Sequence, residues 1–109
     1  MAFTDVLWGG TLADLTFDVV HHECLLRVEV LAGGTMSSHI LRCDGVNELR
    51  FFNQIPEPWT YAEVTEIEAE YDRPASCWRL ELLLWSEQAG LVLRCTDIAL
   101  DDERQPRPV

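Results

Sequence analysis

Leu26-Arg27-Val28-Glu29-Val30-Leu31 alternates apolar and charged side chains, and Trp78-Arg79-Leu80-Glu81-Leu82-Leu83 repeats the pattern 52 positions later. A period of two places Leu26, Val28 and Val30 on one face and Arg27 and Glu29 on the other, the pattern of a half-buried strand. The same offset relates Leu41-Arg42-Cys43 to Leu93-Arg94-Cys95, and Val46 to Ile98. Upstream, Thr11-Leu12-Ala13-Asp14-Leu15-Thr16 resembles Thr60-Tyr61-Ala62-Glu63-Val64-Thr65 at an offset of 49, which a three-residue difference in loop length reconciles. The chain therefore reads as one domain holding a diverged duplication, residues 11–49 and 60–101. A Pro-rich link, Ile55-Pro56-Glu57-Pro58-Trp59, joins the copies, and 102–109 is expected to be a flexible tail. Two copies are too few for a solenoid, so a pseudo-symmetric domain is expected.

Each copy reads as three strands. The first strands are Leu15 to Val20 and Val64 to Tyr71, the second are the alternating segments, and the third are His39 to Cys43 and Leu91 to Cys95. Hairpin loops are expected at Ala32-Gly33-Gly34 and at Ser86-Glu87-Gln88-Ala89-Gly90. The predicted fold is all-β: an antiparallel β-sandwich or partly open barrel built from two similar three-stranded units. One segment competes, because Tyr61, Val64, Ile67 and Tyr71 also fit one helix face and Thr60 with Glu63 has capping-box spacing. Its counterpart holds Thr16, Phe17, Val19 and Val20, which favour a strand, so a turn and then a strand is expected.

In 109 residues there are 19 acids against 8 basic residues, all of them Arg, for a net charge of -11. That balance argues against nucleic acid and anionic membranes, which demand positive charge facing phosphate. No apolar run is long enough for a membrane-spanning helix, and Met1-Ala2-Phe3-Thr4-Asp5 has no basic leader, so a cytoplasmic location is expected.

Residues that could do chemistry are few. Cys24, Cys43, Cys77 and Cys95 sit in or beside apolar runs and read as buried thiols, not disulfides or zinc ligands, since no C-x-x-C pair occurs. Ser37-Ser38-His39 is a hydrophilic hairpin end with no nearby acid in sequence, whereas His21-His22-Glu23-Cys24 gathers imidazole, carboxylate and thiol, a candidate for a small enzyme site or, through His21, His22 and Cys24, a zinc site. That run lies in a predicted turn, and successive strand residues point apart. With no phosphate loop and no hydrolase or protease motif, neither an enzyme nor a cofactor is expected.

The acids are more informative. On a strand from Val64 to Asp72, Glu66, Glu68, Glu70 and Asp72 share the outer face while Ile67, Ala69 and Tyr71 point in. Same-face neighbours stand about 7 Å apart, close enough to repel. Such a row is either a solvated face that protects an edge strand or a surface that steers a basic partner. Trp78 shares the apolar face and is assigned to the core. Trp85 falls on the Arg79 and Glu81 face and is a candidate anchor for a partner. Phe51, Phe52 and Trp59 are expected to cover one end of the core.

The run Leu41-Arg42-Cys43-Asp44-Gly45-Val46-Asn47-Glu48-Leu49, following an alternating strand and hairpin, resembles the YxiG-like small bacterial proteins and related immunity proteins of polymorphic toxin systems. Gly45, Val46 and Leu49 fit a Phe-x-Gly-Val-x-x-Leu type of motif, with Cys43 where an aromatic is usual, and Cys95 to Leu100 is a looser second copy lacking the Gly. The resemblance spans about residues 11 to 101. It implies a non-enzymatic cytoplasmic protein that binds and neutralises a cognate toxin, here through Glu66, Glu68, Glu70, Asp72 and Trp85. The alternative is an acidic interaction or assembly module of another pathway.

Overall fold

The computed structural model describes residues 2–108, which form nine strands and one 3-10 turn, with no α-helix among them. The turn (Phe3–Leu7) precedes β1 (Thr11–Asp18), β2 (Glu23–Ala32), β3 (Thr35–Asp44) and β4 (Glu48–Asn53). After the link come β5 (Val64–Asp72), β6 (Cys77–Leu84), β7 (Ser86–Cys95), β8 (Asp97–Leu100) and β9 (Glu103–Arg104). All pairings are antiparallel. They build a five-stranded sheet of order β1-β2-β3-β8-β9 and a four-stranded sheet of order β4-β7-β6-β5, which do not close into a barrel.

The all-β architecture follows from the alternation. Leu26, Val28 and Leu41 from the first sheet meet Ile67, Leu80, Leu82 and Leu93 from the second in a single buried cluster. Each such side chain contributes about 1.5–3 kcal/mol by leaving water. Trp78 is in that cluster, where its ring makes edge contacts with Phe3 and Tyr71. Val64–Asp72 is a strand and not a helix. Its register slips between Val64 and Glu66, where the Thr65 hydroxyl donates to the Leu83 carbonyl at 3.2 Å.

The sequence reading missed the fourth strand of each half. β1-β2-β3 and β5-β6-β7 are meanders of the same order, but β4 leaves its meander to pair with β7, and β8 leaves the other to pair with β3. The crossing is pinned by Thr96 N–H donating to the Asp44 carbonyl (2.9 Å) and Asn47 N–H to the Arg94 carbonyl (3.0 Å). Thr60–Glu63 does not take the place of Thr11–Thr16: it belongs to the link, whereas Thr11–Thr16 lies within β1.

Three further expectations are corrected. Ser86–Gly90 is no loop, because Trp85 alone makes the turn at φ +70 and β7 begins at Ser86. Phe51 and Phe52 do not cover the core; they lie on the edge strand β4, and Phe51 is 62% exposed. The C-terminal stretch carries β9, and Asp97 binds both Arg104 (2.6 Å) and Arg107 (3.1 Å).

Candidate protein-interaction surface

β5 is an edge strand of the four-stranded sheet, with β6 along one edge and the N-terminal segment against part of the other, where Gly9 N–H donates to the Val64 carbonyl at 2.7 Å and the Trp8 indole to the Ile67 carbonyl at 3.1 Å. Alternation places Ile67, 1% exposed, inward, and turns Glu66, Glu68, Glu70 and Asp72 outward. The stripe runs about 20 Å along the strand. Cross-strand pairing extends it into rows. Glu70 lies opposite Arg79, which lies opposite Arg94, which in turn faces Glu48. In the next row Glu68 lies opposite Glu81, then Val92 and Arg50. The third row is Glu66, Leu83, Gly90 and Phe52, so carboxylates at the edge give way to an apolar strip.

The cations of this face are already engaged. Arg79 donates to Glu81 at 2.8 Å, and Arg94 reaches Asp72 at 3.5 Å and the Cys77 sulfur at 3.7 Å. The neighbouring Cys77 and Asp72 acceptors hold the Arg94 guanidinium above its ordinary pKa. Asp72 is therefore partly neutralised, whereas among the described residues no ion pair reaches Glu66, Glu68 or Glu70.

Trp85 is not part of the Arg79 and Glu81 face. Its left-handed backbone swings the ring off the strand onto the link, with its centroid 4.6 Å from that of Tyr61 and Nε1 donating to the Tyr61 carbonyl at 3.1 Å. It flanks the Glu66 end of the stripe, since its N–H donates to the Glu63 carbonyl at 3.0 Å.

His21, His22 and Cys24 are not brought together. His21 is exposed in the β1–β2 turn with Nδ1 2.7 Å from Asp18, while Cys24 points into the core with no exposed surface. Cys43 and Cys95 are equally buried. Burial pushes the Cys24 thiol up to about 11, and a hydrogen bond with Cys95 followed by burial raises Cys43 well above the ordinary thiol range. Protonated buried thiols are poor nucleophiles and poor metal ligands.

One feature escaped the sequence reading. Between β1 and β4, at the margin shared by the two sheets, lies a cleft of about 320 Å³ lined by apolar side chains. Its lining includes Leu12 and Leu15 of β1, Leu49 and Phe51 of β4, Leu91 of β7, and Trp59 and Ala62 of the link. The Trp59 indole nitrogen is buried without an acceptor among the described residues. Leu15, Phe17 and Val19 did show the period of two, but which strand ends at a sheet margin is not written in periodicity.

No family model and no curated protein matches the chain.

Proposed function

We propose that this chain is a non-enzymatic binding protein of the immunity type, which neutralises a basic toxin domain in the cytoplasm by covering it with the acidic edge of the four-stranded sheet. The observation that carries the reading is the row Glu66, Glu68 and Glu70: three carboxylates without an ion pair among the described residues, one of them directly opposite Glu81. Like charges placed opposite one another destabilise a sheet. Their arrangement has a use if a cationic surface approaches, because an acidic field raises the rate of encounter with a basic partner, even with Arg79 offsetting Glu81. The apolar strip of Leu83 and Phe52 beside the row offers the dehydrated contact that charge alone does not provide. The matching order of the two meanders supports the reading of the chain as two similar three-stranded units, and the resemblance of residues 41–49 to the immunity-protein motif supports the class of partner.

The test is capture of the partner from the source organism, followed by association kinetics at two salt concentrations with Glu66, Glu68 and Glu70 all changed to Lys. The triple variant should associate about tenfold or more slowly, and salt should slow only the unaltered protein substantially. Equal association rates for the two proteins would reduce the stripe to a solvated face. Capture of an acidic partner, or of none with a basic surface, would favour the assembly-module alternative.

A further inference from the structure

β3 has a neighbour on its β8 side over only half its length. β8 lies beside Leu41–Asp44, and the Asp101 turn caps the next position: Ile40 N–H donates to the Asp101 carboxylate at 2.8 Å, and Asp101 N–H to the Ile40 carbonyl at 2.9 Å. The same carboxylate meets His39 Nδ1 at 2.7 Å, so the fold supplies the acid that Ser37-Ser38-His39 lacks in sequence. Alternate residues of an antiparallel strand aim their main-chain groups at the same edge. Ser38 and Met36 therefore aim theirs into the lane that β8 leaves, where no strand lies beside them among the described residues. On the other side, β1 reaches no further than Glu29. Residues 30–37 are thus a two-stranded ribbon, exposed from Leu31 to Ser38.

The strand edges outside this ribbon are guarded. The link covers the start of β1, where Leu12 N–H donates to the Ala62 carbonyl at 2.8 Å, and Asp14 and Asp18 follow. The N-terminal segment lies along β5, β4 carries Glu48 and Arg50, and β9 is a short Glu103–Arg104 pair soon followed by Pro106. Cover, charge, short length and proline are the ordinary protections of an edge against pairing. The ribbon lacks them. Val30 to Leu41 holds no acid and no Arg, the longest such run in the chain. Leu31 and Met36, paired across its outer face, are 67% and 57% exposed.

We infer that this ribbon pairs with that of a second copy of the chain, β3 against antiparallel β3, in a twofold dimer centred on Met36. In that register the Met36 residues of the two copies exchange both main-chain hydrogen bonds, and the incoming strand enters the lane that β8 leaves empty. Side chains agree with the register on both faces. The outer face gains an unbroken apolar row of Leu31, Met36 and the same two residues of the second copy, while on the inner face Thr35 stands opposite Ser37, a favourable hydroxyl pair. Asp101 occupies the lane at Ile40 and stops the incoming strand there. The tip that approaches it is Gly33-Gly34, which brings no side chain. Charge selects the occupant. Two chains of net charge -11 repel, and the ribbon lets them meet through segments without an acid, whereas a basic partner gains nothing from an uncharged edge. The ribbon belongs to the five-stranded sheet and the acidic row to the other, so either surface can fail without the other.

The contact is small, so the dimer is weak, with a dissociation constant on the order of 0.1 mM. Sedimentation equilibrium of the full chain, taken to about tenfold above that constant, should show a reversible monomer–dimer equilibrium. Added salt should tighten it by screening the repulsion, the reverse of its effect on capture of a basic partner. Amide exchange at Met36 should slow as the protein is concentrated, while exchange at Leu49 and Phe51 on β4 should not. Met36→Asp, which sets two carboxylates opposite one another, should weaken the dimer about tenfold or more, and Leu31→Ser should weaken it less. Both positions are exposed, and circular dichroism checks that each variant keeps its fold. A monomer at the highest concentration, a dimer loosened by salt, slowed exchange at Phe51 in place of Met36, or undiminished dimerisation of folded Met36→Asp would each overturn the inference.

Discussion

The main-chain carbonyl of Asp44 accepts a 2.9 Å hydrogen bond from Thr96 N–H, so the residue after Cys43 is tied to the residue after Cys95 where the two halves cross. The chain turns into β4 directly afterwards, at Gly45, with φ +67, and a β-carbon there would strike the Thr96 side chain. Gly45→Ala should therefore destabilise by about 1–3 kcal/mol, combining backbone strain with the steric conflict. Adding Thr96→Ala should recover only part of the loss, because the positive φ persists. Urea unfolding of the single and double variants measures both.

The thiols give a prediction at high pH. Cys24 titrates near 9.0 in an unfolded chain and at about 11 when folded. Its raised value means that the unfolded state loses this proton first. The associated stability is present below pH 9 and is lost as pH rises toward 11. Denaturant midpoints should fall across that window, and Cys24→Ala should flatten the fall. Cys43→Ser, which buries a hydroxyl among apolar groups, should cost about 1–3 kcal/mol at neutral pH.

Asp97 gives the opposite sign. Its hydrogen bond from Arg104, with Arg107 contributing, lowers its carboxyl below the ordinary 3.8. Its contribution is present above that value and disappears as pH falls through the lowered folded pKa. Asp97→Asn should release the C-terminal strand at neutral pH, seen as faster exchange of the Gln105 amide, which donates to the Ile98 carbonyl at 2.9 Å. Unchanged exchange would show that the β8–β9 pairing holds without the carboxylate.

Glu68 and Glu81 face one another across β5 and β6. Glu68→Gln should stabilise the protein by about 0.2–1 kcal/mol, with the gain shrinking as salt is added. Thermal unfolding at low and high ionic strength tests it.

The period of two in residues 26–31 and 78–83 was enough to read an all-β chain, because alternation reports a strand's two environments directly. The outward row at Glu66, Glu68, Glu70 and Asp72 was legible for the same reason. Strand partners were not. Glu48–Asn53 has Leu49, Phe51 and Phe52 with no strict alternation, and its place beside β7 depends on a crossing at Gly45 that local propensity does not encode. Trp85 was misplaced because alternation was extended one residue too far, into a left-handed turn. The cleft was invisible for a related reason: Leu15 and Phe17 have core chemistry, and only sheet order leaves them uncovered.

The exchange of fourth strands makes neither half self-sufficient. A fragment ending before Trp59 would hold β1, β2 and β3 but would lack β8 as the neighbour of β3, and its own β4 would have no β7 to join. The two fragments of a chain cut in the link would therefore be obligate complements, each completing the other's sheet. Mixing them should rebuild the whole, whereas either alone stays an open ribbon prone to aggregate. Folding must likewise await synthesis of β8, since the pairing of Cys43 with Ile98 brings together segments from near the middle and near the end of the chain.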